Sequence, residues 1–349
     1  MIPKSALIAI AVISAVALIG LFYYVYYKGP GPSSGITSIP PLPNGINQAS
    51  GQQYCINGVT NNTIFQYMSD NGIKCFRIDI YLNQNESSFV SNSTSAGAQY
   101  LGILDYATVG AQPSRSGCIS GCNWTLSDWN ASVANAVMEY PEVNTWEIYN
   151  EPLAGLFVSG YDNGSALNYF NMIKSAYTII KGKEPNATIV CFGGAEMFPG
   201  ISVEYEYPFY RQVWQYGASK YCDAVSLHTY SAQYYDLGQA VAPNLTLGQF
   251  YNITLYIYEN LTKKPVWITE TGVPSNNWTA GVSLSEQKQA SFLTEDMNFF
   301  RQYPYVRRVY WFDAADRAGS GADYGLINAT LRPKPALQAF LYFSRNGIS

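Results

Sequence analysis

The chain has 349 residues, 48% of them hydrophobic, 15% aromatic and only 13% charged, with 24 acidic against 20 basic side chains and a single histidine. The hydrophobic content excludes a disordered chain. A net charge of −4 with no basic cluster excludes a nucleic-acid partner, and a lone His228 excludes multi-histidine zinc centres and leaves little room for histidine triads.

Residues 6–27 form a run of 22 positions without a charge, between Lys4 and Lys28. As a helix it spans about 33 Å, enough for a hydrocarbon core of ~30 Å. A secretory signal has a shorter apolar core of ~7–15 residues and a small-residue cleavage site, and no clear site precedes Lys28. Residues 1–28 are therefore read as a transmembrane signal anchor, with a cleaved signal as the alternative. Tyrosines 23, 24, 26 and 27 suit a membrane interface. Either reading exports the remainder, as the extracellular part of a single-pass cell-membrane protein or as a secreted one. Twelve N-x-S/T sequons and all six cysteines follow the run, which fits a glycoprotein with disulfides of open connectivity. Cys118 and Cys122 are close enough in sequence to close a small loop. With so few titrating groups, folding stability is expected to depend weakly on pH.

Residues 29–43 are a Gly/Pro/Ser-rich spacer, and 44–349 form one domain. Strands are predicted at 44–49, 74–80, 100–107, 143–150, 188–192, 224–229, 265–270 and 306–312. Helices are predicted at 63–71, 125–139, 166–183, 203–221, 247–262, 283–302 and 335–344. Such alternation is the signature of parallel βα units, and eight of them predict a (β/α)8 TIM barrel, α/β in class, behind the N-terminal transmembrane helix. No glycine-rich phosphate loop supports a nucleotide-binding alternative.

A barrel of this kind carries its reactive residues at the C-terminal strand ends. The fourth strand ends Trp146-Glu147-Ile148-Tyr149-Asn150-Glu151-Pro152 and the seventh Trp267-Ile268-Thr269-Glu270, each with a glutamate at its tip. The second strand offers Arg77, the sixth His228 and Tyr230, the eighth Trp311 and Asp313. Taken together in this order, Gly72-Ile73-Lys74-Cys75-Phe76-Arg77, Asn150-Glu151-Pro152, His228-Thr229-Tyr230, the Glu270 strand and Tyr310-Trp311-Phe312 resemble the retaining glycoside hydrolases of clan A, the cellulase-like superfamily that includes families 5 and 39.

That resemblance implies hydrolysis of β-linked glycosides or polysaccharides by two glutamates, with Glu151 as acid/base and Glu270 as nucleophile. It implies substrate-binding roles for Arg77, Asn150, His228, Tyr230 and Trp311, with Asn150 on the sugar 2-hydroxyl and Trp311 stacked on a sugar ring. No metal or organic cofactor is expected, nor a partner besides the glycan and the membrane, and the chain is expected to be a monomer. A surface carbohydrate-binding or adhesive barrel without turnover is the alternative. Asp79, Asp105, Glu147 and Glu196 are candidate inward polar groups, and Trp124, Trp129 and Trp278 candidate walls of outer subsites. One geometric demand stands out: Asn150 and Glu151 cannot both face the pocket in a regular strand, so a bulge or turn is required before Pro152.

Overall fold

A computed structural model describes residues 52–59, 61–82, 86–105, 108–109, 124–152, 163–196, 201–230, 255, 259–276, 284–317 and 322–346. The predicted transmembrane segment, the predicted spacer, Cys118, Cys122 and Trp278 lie outside these residues. Among the described residues no helix is long and apolar enough to cross a membrane.

Eight parallel strands close into one barrel in sequence order, β1 (Gln53–Asn57), β2 (Cys75–Asp79), β3 (Gln99–Leu104), β4 (Thr145–Ile148), β5 (Thr188–Glu196), β6 (Ala224–Thr229), β7 (Val266–Thr271) and β8 (Val306–Trp311). The predicted (β/α)8 barrel is thus present, and seven strands fall at their expected places. The first does not: β1 is at Gln53–Asn57 rather than 44–49. With one β-branched residue, Ile56, it carries little strand signal of its own. Its pairing with both β2 and β8 and a Cys55–Cys75 disulfide hold it in place.

Around the barrel run α1 (Asn62–Asp70), α2 (Glu86–Ser95), α3 (Leu126–Glu139), α4 (Asn163–Lys183), α5 (Ile201–Gln215), α6 (Glu286–Phe300) and α7 (Pro335–Asn346). Their starts follow ordinary capping chemistry. Asn61 caps α1 by accepting from the Ile64 N–H, Thr125 and Asp128 form a reciprocal capping box on α3, and Ser285 caps α6. Sequence periodicity misses α2, whose Ser/Asn-rich turn sequence offers only Phe89 and Val90 as apolar anchors. The predicted helix at 203–221 ends early, at Gln215, and continues as a 3₁₀ turn at Ala218–Lys220.

One apolar core lies between strands and helices, and a second, smaller one fills the barrel interior with Cys55, Cys75, Leu101, Val190, Ala224, Trp267 and Tyr310. Arg308 lies over the Trp267 ring, its guanidinium 4.3 Å from the centroid. A second disulfide joins Cys191 of β5 to Cys222 before β6. This packed interior leaves chemistry to the strand tips above it.

Candidate active site

Inward positions recur every second residue along a strand. Above the plug, this alternation turns Arg77 of β2, Glu147 of β4 and His228 of β6 toward the axis. All three are almost fully buried, so each needs a partner. Arg77 is the hub. Its Nε donates to Glu147 Oε2 at 2.6 Å, its Nη1 to Glu270 Oε1 at 2.6 Å and to Asn57 Oδ1 at 3.0 Å, and its Nη2 to Asn150 Oδ1 at 2.8 Å. Burial opposes the guanidinium charge, but the Glu147 and Glu270 carboxylates outweigh it and hold Arg77 protonated.

Glu270 reaches the axis because β7 is irregular. Leu227 pairs with Ile268 but His228 pairs with Glu270, so β7 carries one extra residue there. Thr269 and Glu270 thereby both face inward: Thr269 Oγ1 donates to Glu147 Oε1 at 2.8 Å, and Glu270 meets Arg77. The Tyr230 hydroxyl donates to the other Glu270 oxygen at 2.5 Å. Burial alone would raise the Glu270 pKa; His228, Arg77 and the Tyr230 hydrogen bond bring it below the ordinary glutamate value. Tyr230 is pushed the opposite way, by burial and by the Glu270 charge, and remains a phenol donor.

Glu151 meets the demand made by its sequence. β4 stops at Ile148, after which Tyr149 (φ 72°) and Glu151 (φ 46°) take left-handed conformations, and this irregular turn aims Asn150 and Glu151 at the same pocket. The turn is pinned by the Glu151 N–H donating to Gly193 O at 3.0 Å. A side chain at Gly193 would bring Cβ within 2.8 Å of Tyr149 O, so the close approach requires glycine.

His228 Nδ1 lies 2.8 Å from Glu151 Oε1 and 3.6 Å from Glu270 Oε2, while Nε2 faces an Arg77 N–H donor at 3.5 Å. The lone pair therefore belongs on Nε2 and the proton on Nδ1, a tautomer assigned from these neighbours. Burial disfavours the charged ring, but the Glu270 and Glu151 carboxylates outweigh it and raise the His228 pKa. Since His228 is fully buried, it touches the two carboxylates rather than solvent, a correction to its expected substrate contact.

The facing atoms of Glu151, His228 and Glu270 lie within 4.8 Å of one another. These are ligand types a cation could use, but both Glu270 oxygens already accept hydrogen bonds from Arg77 and Tyr230. The set is arranged for proton chemistry between two carboxylates.

Trp311 is the second correction. It is fully buried in the outer core with its indole N–H donating to Tyr324 O at 3.3 Å, so it offers no face to a sugar. Parity explains this: Tyr310 belongs to the interior plug, so the next inward residue is Phe312, just past the end of β8. Phe312 is half-buried beside Tyr230 and Tyr324, its ring centroid 6.1 Å and 5.3 Å from theirs. Trp129 is likewise buried, donating to Met172 O at 3.2 Å and stacked on Trp124, which makes this pair packing rather than subsite wall. Asp105 is buried beside Thr108. Glu147, Asn57 and Thr269 form a ring with Arg77 beneath Glu270, with Asn57 Nδ2 donating to Thr269 O at 2.9 Å. Of these, only Glu147 stood out in the sequence, as an inward acid two residues before the strand bends.

Asp313, at the tip of β8, is buried, and burial pushes its carboxyl up to about 7 despite the Arg317 guanidinium beside it. An acid whose folded pKa exceeds its unfolded value of ~3.9 binds its proton more tightly in the folded chain. Its contribution to stability is full below about pH 4 and is lost as pH rises through 7. The raised His228 pKa acts in the same direction. The protein should therefore be more stable at pH 5 than at pH 8, by about 1–3 kcal/mol, and Asp313→Asn should flatten the difference. Chemical denaturation at the two pH values checks this, and a protein more stable at pH 8 would contradict it.

The fold has counterparts. Residues 199–340 match the family described as glycosyl hydrolase catalytic core. A GH128 (subgroup I) endo-β-1,3-glucanase from Amycolatopsis mediterranei is similar in structure, with a TM-score of 0.52 at 16% identity over 84% of this chain and 99% of that one. The β-D-glucuronidase of Dictyoglomus thermophilum gives a TM-score of 0.57 at 13% identity over 85% of this chain and 50% of that one. A Ruminococcus gnavus β-glucuronidase gives 0.57 at 15% over 84% and 51%. The chain thus spans about half the length of the glucuronidases. No curated protein matches its sequence. Barrel, carboxylate pair and family match together support a glycoside hydrolase. More particularly, the resemblance is to the (β/α)8 glycoside hydrolases of clan A.

Proposed function

We propose that the chain is a retaining glycosidase of β-linked glycans, with Glu270 as nucleophile and Glu151 as acid/base. The observation that carries this reading is the spacing of the two carboxylates, whose facing oxygens lie within 4.8 Å. Retaining sites hold their carboxyl groups ~5–5.5 Å apart, whereas inverting sites need ~6.5–9.5 Å to admit a water between them. Glu270 is held ionised by Arg77 and Tyr230, ready to attack the anomeric carbon. Glu151 protonates the leaving oxygen, then removes a proton from the water that releases the sugar. Asn150 accepts from Arg77 through Oδ1, which leaves its amide N–H groups to donate to a sugar 2-hydroxyl. His228 holds Glu151 in place. Export by the segment at 6–27 completes the proposal and would bring such a site to extracellular glycans.

Among the similar structures, the β-1,3-glucanase is matched over 99% of its length, so β-glucan is the substrate class to try first. The test is a 2-fluoro β-glucoside with an activated leaving group, which traps a covalent glycosyl-enzyme. Mass spectrometry should find the label on Glu270; inactivation with label on another residue, or turnover that inverts the anomeric centre, would overturn the mechanism.

A further inference from the structure

We infer that the face of the barrel at which the strands begin docks on a bilayer carrying anionic headgroups, with a basic arc beneath β6, β7 and β8 against the lipid and the two glutamates at the far end, turned away from it. This goes beyond the glycosidase reading and does not depend on it; it takes the segment at 6–27 as the anchor proposed above. The sequence holds no basic cluster, and the chain as a whole carries 24 acidic against 20 basic residues. Folding is what gathers the basic ones.

The turns that lead into β2 to β8 all lie among the described residues, so the charges around them can be placed. From β5 round to α7 stand Lys183, Lys220, Lys264, Arg301, Arg307 and Arg345, and none of them forms an ion pair among the described residues. Lys183, Lys220, Arg307 and Arg345 are exposed. The acids at the level of these turns are largely taken: Asp223 pairs with Lys181 at 3.0 Å and Glu259 with Lys263 at 3.2 Å, which leaves Glu184. Asp70, Glu139 and Glu142 stand across the barrel, at the ends of α1 and α3.

Helix dipoles explain little of this. Cations are favoured in the last turn of a helix, and the helices of a parallel barrel all end at this face. Yet among α1 to α7 only α4 and α7 carry a base in the last turn. Lys264 and Arg307 lie outside any helix. Two tyrosines flank the arc, Tyr216 after α5 and Tyr342 on α7, 37% and 60% exposed. Tyrosine is a side chain that favours the membrane–water interface.

The path of the chain identifies what lies opposite. Gln52, the residue before β1, donates through Nε2 to Phe300 O and Val306 O, both at 2.8 Å. The sequence preceding it therefore departs beside the start of β8, where Arg301 and Arg307 follow those two carbonyls in sequence. Residues 29–51 separate that point from the predicted anchor. A flexible coil of that length has an r.m.s. span of about 25 Å, so the tether keeps this face close to the bilayer. Charge complementarity then selects anionic lipid, at roughly fivefold in affinity per basic side chain near the surface.

The test reads which face meets the lipid. The full chain is reconstituted into vesicles of phosphatidylcholine, with or without about one third phosphatidylglycerol, that contain a headgroup nitroxide quencher. A dye on Ser219→Cys, beside Lys220, should be quenched at least threefold more in the anionic vesicles, and the excess should vanish at high salt, where screening shortens to a few Å. A dye on Ala329→Cys, in the exposed loop between β8 and α7 at the catalytic end, should be quenched in neither. Replacing Lys183, Lys220, Arg307 and Arg345 together by Gln should reduce the Ser219 signal to its level in neutral vesicles. Equal quenching in both vesicle types, insensitivity to salt, stronger quenching at Ala329 or a fourfold variant that docks like the parent would each overturn the inference; the salt titration on the parent charges decides if that variant does not fold. Displacement by single-stranded DNA at equal phosphate concentration would assign the face to nucleic acid and overturn the lipid partner. The anchor is tested separately. Release of the chain by alkaline carbonate would refute the anchor, while salt-sensitive quenching before the wash would still support the docking face. An integrated chain whose Ser219 dye is unquenched in anionic vesicles would keep the anchor and remove the docking.

Discussion

Glu270→Gln should lower turnover of an aryl β-glucoside by on the order of 10⁴-fold or more, the scale expected when a residue central to covalent catalysis is removed. A carboxamide keeps the shape of the side chain and an acceptor for Arg77, but it is a poor nucleophile and carries no charge to stabilise an oxocarbenium-like transition state. The effect should be catalytic rather than structural. Removing one partner of a buried ion pair costs ~3–5 kcal/mol when the other charge is stranded. Here Arg77 keeps Glu147, which it contacts at 2.6 Å through a different nitrogen, so its charge remains compensated. The variant should therefore melt close to the parent. The decisive measurement is kcat beside a melting curve: activity within tenfold of the parent in a folded variant would remove Glu270 from the mechanism.

The barrel and its two glutamates were legible because each rests on local sequence. Seven strands are short apolar or β-branched runs, and Glu151 and Glu270 stand at the ends of two of them. What escaped depends on register, which no single strand declares. The extra residue in β7 that turns Thr269 and Glu270 inward together is visible only in how Leu227 and His228 pair with Ile268 and Glu270. The same is true of β8, where inward alternation passes from Tyr310 to Phe312 and leaves Trp311 in the outer core. A tryptophan beside a strand tip invites assignment to sugar stacking, but strand parity outranks residue type. β1 was misplaced for a related reason: its stability comes from partners at Phe76, Arg77 and Arg308 to Trp311, far away in sequence. The bend at Tyr149–Glu151 is the opposite case, since two adjacent residues expected to face one pocket demand an irregular backbone on sequence grounds alone.

Glu151→Ala should divide substrates by leaving group, and this outcome bears on both steps of the proposed mechanism. Protonation by a positioned acid contributes roughly 10²–10⁴-fold, so cleavage of a gluco-oligosaccharide, whose leaving alkoxide is strongly basic, should fall by that factor. A 2,4-dinitrophenyl β-glucoside needs no proton on its leaving oxygen, and its first step should be largely spared. The second step then lacks the base that activates water, so a burst of dinitrophenol followed by slow turnover is expected. His228 is relevant here, because with Glu151 gone its Nδ1–H is left facing Glu270 Oε2, 3.6 Å away in the unaltered chain. Azide, which needs no general base, should fit the space vacated by the carboxyl, restore turnover and yield the β-glucosyl azide. That stereochemistry follows from two inversions at the same carbon, the first by Glu270 and the second by azide. An α-glucosyl azide would mean that azide attacks the substrate directly, and the covalent intermediate on Glu270 would have to be abandoned.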